Sequence, residues 1–282
     1  MHTCPPPDDF ARLAAELQTL SVFSALLKHP LVRAFRKLLK SASRCERVDT
    51  LARAWAHFTR ALWAESGGAG GVGFCDIVYR LVRTDENAWT LAVEHATVGG
   101  TALAAAAACD LAILARVAAF DFSRLAALAP HDSRLRLECA ALAAANADAA
   151  DAAAASTAGR FVPETFAQEI RAAGAGVAGL HTLFYWQNGL CPARLADEVR
   201  LANLRGYEAA RELVVENTRR FLDGGAANNL LLYGDRGTGK SATVKAVCND
   251  FAPRGLRLVQ IGKDDFPFWR TIFTTLARRA QK

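Results

Sequence analysis

The chain has 282 residues, 52% of them hydrophobic and 22% charged, and a formal net charge of +6. That is long enough to bury one large core or two ordinary ones, and too apolar for a wholly disordered chain. Ala accounts for 58 residues, 33 of them between positions 101 and 200. Since Ala is the strongest helix former and a weak strand former, this argues against all-β and collagen-like architectures.

The N-terminus, MHTCPPPDDF, carries prolines and aspartates where a signal peptide needs a basic and then an apolar run. The seven Cys are scattered, and none is spaced CxxC. A zinc ribbon or disulfide framework would need close pairs, so the thiols are expected to be reduced and the protein cytoplasmic. Between Lys28 and Arg60 lie nine Lys/Arg against Glu46 and Asp49, a local balance of +7 that leaves −1 for the remainder. Such a segment is either a solvated face or a dock for nucleic acid or an acidic partner.

Val48, Leu51, Trp55, Phe58 and Leu62 recur at three and four, one face of a helix. Glycines from Gly67 to Gly73 stop it, and Phe74, Ile77, Val78, Leu81 and Val82 begin another. The most apolar window, Thr101 to Phe120, contains Asp110 and Arg116 and is expected as a buried helix, not a membrane span. Ala140 to Ala155 is a low-complexity helix with little to pack. Phe184-Tyr185-Trp186 reads as core or interdomain packing.

Near Leu204 the texture changes. The pattern predicts a helix over Glu208–Leu222 stopped by Asp223-Gly224-Gly225, and a buried strand at Leu230–Tyr233. A helix over Lys240–Phe251, a turn at Pro253-Arg254-Gly255 and a second strand over Arg257–Ile261 follow. A last helix is expected, capped by Asp264, with Pro267 in its first turn.

Between the first of these strands and its helix stands Gly234-Asp235-Arg236-Gly237-Thr238-Gly239-Lys240-Ser241, which fits G-x-x-x-x-G-K-[ST], the P-loop. A polyphosphate needs a concave ring of backbone N–H donors, which the glycines permit by visiting positive φ without Cβ atoms in the way. The helix that follows turns its positive end to the phosphates. Lys240 is expected to bridge the β- and γ-phosphates of ATP, and the Ser241 hydroxyl to ligate Mg²⁺.

The run from Gly206 through Gln260 resembles an uncharacterised bacterial family of predicted AAA+ ATPases with a long helical region before the ATPase core. The resemblance is close over these residues and extends to the first 200 only in helical layout. It implies ATP binding through Gly234 to Ser241, and a Gly206-Tyr207 segment lying against the adenine; the alternative for Tyr207 is a core aromatic. The AAA+ class also implies a protein client or a homo-oligomer. The pattern departs from the family in one respect: no Walker B strand, sensor residue, arginine finger or lid is visible, so the chain reads as a truncated member with impaired or no hydrolysis. In AAA+ proteins further strands separate the two strands expected here. These two must therefore either pair directly, with a right-handed crossover, or be covered by another element.

Gly68-x-Gly70-x-x-Gly73 and Gly174-x-Gly176-x-x-Gly179 match a dinucleotide fingerprint, but neither follows a strand, and both read as breaks between helices. The six His show no metal-ligand spacing. The expected architecture is thus mainly α with a C-terminal partial α/β P-loop core: a helical domain over 1–203 and the core over 204–282. The expected function is ATP and Mg²⁺ binding without contact with a membrane. The rival is a helical interaction module in which the basic segment 28–60 meets nucleic acid or an acidic partner and the P-loop is vestigial.

Overall fold

The computed structural model describes residues 7–44, 47–66, 73–97, 102–152, 157–193 and 199–277. The chain divides into two compact units, Met1–Gln168 and Glu169–Lys282; the expected 203/204 boundary falls inside the second.

The first unit is helical among its described residues: α1 (Pro7–Glu16), α2 (Pro30–Ser43), α3 (Val48–Ser66), α4 (Phe74–Thr84), α5 (Ala88–Glu94), α6 (Ala102–Ala118), α7 (Ser123–Ala126), α8 (Arg134–Ala152) and α9 (Thr157–Arg160). Local chemistry sets the helix starts. Pro30 opens α2 at the position that needs no N–H donor, and His29 Nδ1 accepts the Leu31 N–H at 3.3 Å. Asn87 caps α5 reciprocally: its Oδ1 accepts from Trp89 and Thr90 N–H, while Thr90 Oγ1 accepts the Asn87 N–H at 2.9 Å.

The core is aromatic. Phe35 lies 5.1 Å from both Phe74 and Phe120 and 5.7 Å from Phe58, and Phe58 stacks on Phe122 at 5.5 Å. On α3 the predicted face is buried at Leu51, Trp55, Phe58 and Leu62, while Val48, in the first turn, stays exposed. The apolar window forms α6. No helix of the described residues is long and apolar enough to cross a membrane.

Asp110, at the centre of α6, is 2% exposed. Its Oδ2 accepts three consecutive amides, Ser21 at 3.0 Å, Val22 at 2.8 Å and Phe23 at 3.0 Å. One carboxylate oxygen therefore satisfies a stretch of chain that has no helix of its own to do so.

The second unit holds α11 (Gly176–Leu180), β1 (Leu183–Trp186), β2 (Leu190–Pro192), α12 (Glu208–Leu222), α13 (Lys240–Phe251), β3 (Leu258–Gln260) and α14 (Trp269–Leu276); α10 (Pro163–Ala173) carries the division between units. Its sheet has three strands in the order β2-β1-β3. β1 pairs with β2 antiparallel, Tyr185 opposite Cys191, and with β3 parallel, Phe184 opposite Val259.

This sheet refines two expectations, and the chain near the curl corrects a third. The aromatic triplet at 184–186 packs in the core as expected, with Phe184 and Trp186 buried and Tyr185 turned outward, but it does so as a strand. The second predicted strand exists, as Leu258–Gln260, and of the two expected arrangements it takes the one in which another element covers it: it pairs with β1, a strand that the helical reading of the first two thirds did not contain. Leu230–Tyr233 is not a strand: among the described residues no strand pairs with it, and Leu231 and Tyr233 are 85% and 87% exposed. An apolar run becomes a strand only where a ladder partner takes its amides. The chain is therefore mainly helical with a small mixed sheet.

Replacing Asp110 by Ala should lower the stability of the first unit by about 2–4 kcal/mol, because three amides lose a charged acceptor. Asp110→Asn, which keeps one neutral acceptor, should fall between. Urea midpoints test this, and identical midpoints for all three proteins would refute the clasp. A second test uses the thiols. Burial, with Glu138 beside it, pushes Cys139 up to about 12, whereas Cys109 is exposed. At pH 8 iodoacetamide should alkylate Cys109 and spare Cys139 until the protein is unfolded, because the thiolate is the reactive form.

Candidate functional site

Two helices frame the loop at 234–239, and both have the bounds expected from sequence. α13 begins at Lys240, with Gly239 before it at φ 80°. Its buried face, Thr243, Ala246, Val247 and Cys248, holds it in place. The Cys248 thiol donates to Thr182 O at 3.4 Å, and Asn249 Nδ2 donates to Val199 O at 2.9 Å. Leu201 N–H donates to Asp250 Oδ2 at 3.1 Å, which fixes the far end of the helix.

The loop itself is a tight curl. Gly234, Gly237 and Gly239 lie at φ 133°, 82° and 80°, where an L side chain is strained. A Cβ at Gly237 or Gly239 would meet nothing within 4 Å, so it is backbone conformation, not crowding, that demands glycine there. The Lys240 ammonium closes the curl. Its Nζ donates to Gly234 O at 2.9 Å, Asp235 O at 2.6 Å and Thr238 Oγ1 at 3.2 Å. Thr238 Oγ1 in turn donates to Asp235 O at 3.0 Å. Asp235, Arg236 and Ser241 are exposed around the curl. The first amides of α13 have no intrahelical acceptor and carry the positive end of the helix dipole. The structure thus brings Gly234 to Ser241 together at one helix start, as a collar of main-chain groups around an ammonium.

Tyr207 sits elsewhere. It precedes α12 in the left-handed region (φ 57°, ψ 32°) and is 66% exposed, which removes the core-aromatic alternative. Glu208 and Arg211 hold the bend. Gly206 N–H donates to Glu208 Oε1 at 2.9 Å, and Arg211 donates to Gly206 O. Backbone hydrogen bonds, with Arg211 nearby, pull the Glu208 carboxyl below the usual glutamate range. Among the described residues, no hydrogen bond or ring contact joins Tyr207 to the curl.

What holds the chain leading into the curl leaves no mark in residue spacing. Asn217, on α12, pairs with the main chain of Asn228 at both ends, Nδ2 donating to its carbonyl and Oδ1 accepting its N–H, each at 2.8 Å. Beneath this segment opens a cleft of about 440 Å³ lined by Val214, Phe221, Leu230, Leu232, Val247 and Leu258. The expected Asp264 cap is corrected as well. A 3₁₀ turn over Lys263–Phe268 starts after Gly262, Asp265 in its first turn reaches back so that its Oδ2 accepts the Gly262 N–H at 3.1 Å, and Phe268 precedes α14 with no side-chain cap. Pro267 lies in that turn, before α14. Gly174, at φ 100°, lies between α10 and α11, and Gly176, at φ 64°, opens α11, so a break between helices falls there as expected. Gly68 and Gly70 lie outside the described residues. Among the described residues no group of three His, Cys, Asp or Glu could hold a metal ion.

The Glu208 bend can be tested by titration. A carboxylate whose folded pKa is depressed gives its stabilisation above the unfolded value and loses it as pH falls through the folded one. The Gly206 amide proton shift should therefore inflect below the ordinary glutamate range, and the inflection should vanish in Glu208→Gln. An inflection at the ordinary glutamate value would show that the clamp is not formed.

Residues 180–282 match one family model, described as "Protein of unknown function (DUF815)", a span that takes in the whole sheet, both helices and the curl. No curated protein matches the chain, and no solved structure does.

Proposed function

We propose that the second unit binds a nucleoside triphosphate, ATP with Mg²⁺, at Gly234–Ser241. The observation that carries this reading is the closed curl: three glycines at positive φ, at the start of a helix anchored on its buried face, with an ammonium group already drawn inside. Lys240 now spends its donors on two neutral carbonyls and a hydroxyl. A phosphate oxygen is a stronger acceptor than either, because charge-assisted hydrogen bonds are about twice as strong as neutral ones. Polyphosphate would then draw Nζ from the carbonyls, while the amides of 237–241 meet its remaining oxygens.

The donor set suits the ligand. Asp235 and Arg236 flank the curl, Thr238 braces it, and the exposed Ser241 hydroxyl is the group that would hold Mg²⁺. The metal, when bound, would offset phosphate charge. Tyr207, presented outward by its clamped bend, would lie against the adenine, as the resemblance to predicted AAA+ ATPases implies. Binding, not turnover, is the proposed activity. Asp265, an acidic side chain after β3, is committed to its own turn and brings no carboxylate to the curl.

Calorimetry with Mg-ATP tests the site. Lys240→Ala should weaken binding by at least about 100-fold, the scale of a lost charged contact to phosphate. Gly237→Val should also weaken it, by straining the curl without touching the helix, and phosphate release should stay at background in every variant. Unchanged affinity in Lys240→Ala would refute the site.

A further inference from the structure

The outward face of α2 carries a row of cations. Arg33, Lys37 and Lys40 are exposed and fall within an arc of about 60° at 100° per residue, with half-buried Arg36 beside them. On α3, which packs against α2, Arg53 and Arg60 are exposed two turns apart on one face. Arg53 donates only to Thr50 Oγ1, and Arg60 only to Ala56 O, each within its own helix. No carboxylate among the described residues pairs with any of these six cations. Elsewhere in the unit arginines are matched: Arg12 and Arg124 with Asp9, Arg116 with Glu16, Arg134 with Glu138 and Arg160 with Asp76. Arg80, on α4, gives its guanidinium to the Glu65 carbonyl and not to a carboxylate, but the unpaired cations gather most densely on these two adjoining helices, which points to an occupant outside the chain.

We propose that the α2–α3 face binds the phosphate backbone of a nucleic-acid duplex, without reading its sequence. The choice of occupant follows from what the face lacks. A protein interface needs buried apolar or aromatic anchors at its centre. Between Lys28 and Leu62 the large exposed hydrophobics among the described residues come down to Val48. Single strands need successive aromatic platforms, and here Trp63 stands alone at the far end of α3. Evenly spaced cations on rigid helices meet the requirement of a duplex backbone, which is recognised by charge and spacing. This inference is independent of nucleotide binding and uses none of the residues at 234–241.

The test is fluorescence anisotropy with a labelled 20-base-pair DNA duplex of arbitrary sequence, titrated between 50 and 200 mM NaCl. Each phosphate neutralised contributes about −0.9 to the slope of log K against log salt, so six cations give about −5. The triple variant Arg33→Gln, Lys37→Gln, Lys40→Gln should flatten that slope by about 2.7 and weaken binding, with an unaltered circular dichroism spectrum. Removing three paired cations instead (Arg12→Gln, Arg116→Gln, Arg134→Gln) takes away the same net charge and should leave the slope unchanged. The proposal is overturned if no duplex binds at 50 mM salt, or if both triple variants flatten the slope equally. It is also overturned if phosphatidylserine vesicles or polyglutamate displace the duplex at equal charge concentration, which would assign the face to a membrane or an acidic protein.

Discussion

Main-chain amides and carbonyls outside helices and strands must find partners, and at three places in this protein one charged side chain serves several of them at once. Asp110 holds three successive amides with one oxygen. Arg257 does the reverse for carbonyls, donating to Ala173, Ala178, Ala252 and Leu256. Lys240 does it at the curl. Each is a single ion standing in for several rungs of regular structure, and each fixes a segment whose path its own residues leave undetermined. The curl differs from the other two because its ion is accessible and its acceptors are weak. That makes its bonds exchangeable, while the Asp110 clasp is sealed in the core.

Much of the fold was legible because it rests on local signals. Helices α12 and α13 begin and end where periodicity, glycines and the loop motif put them. The aromatic face of α3 follows from its three-and-four spacing. The sheet was not legible to the same degree. Asn188-Gly189, between the aromatic triplet and Leu190-Cys191-Pro192, is a strong hairpin signal that the Ala-rich helical texture around it masked. Asn188 at φ 56° carries that turn. Leu230–Tyr233 failed in the opposite direction. Its composition is that of a buried strand, but strand formation depends on a neighbour, and composition holds no information about neighbours.

The candidate site shows the same division. Gly234, Gly237, Gly239 and Lys240 are recognisable from spacing because the constraint on them is conformational and contiguous. Asn217, which latches the chain at Asn228 from a helix earlier in sequence, leaves no trace in spacing. That Asp265 reaches back to Gly262 from inside a 3₁₀ turn, in place of an Asp264 cap on a helix, is a difference of local phase finer than a pattern of charges can resolve. The basic segment was visible as a charge count. Its concentration on outward faces, and the absence of carboxylate partners among the described residues, became visible only with the helices in place.

The parallel pairing of Leu183 with Leu258 has a consequence for how this half of the molecule is made. A ribosome delivers β1 and its hairpin partner long before β3, and until β3 emerges one edge of that aromatic strand has no rung to fill it. Closing so wide a loop is entropically slow, and α12 and α13 must wait in the interval with their apolar faces uncovered. The sheet of this unit can therefore be completed only after Leu258 has been made, some 75 residues later than its partner Leu183.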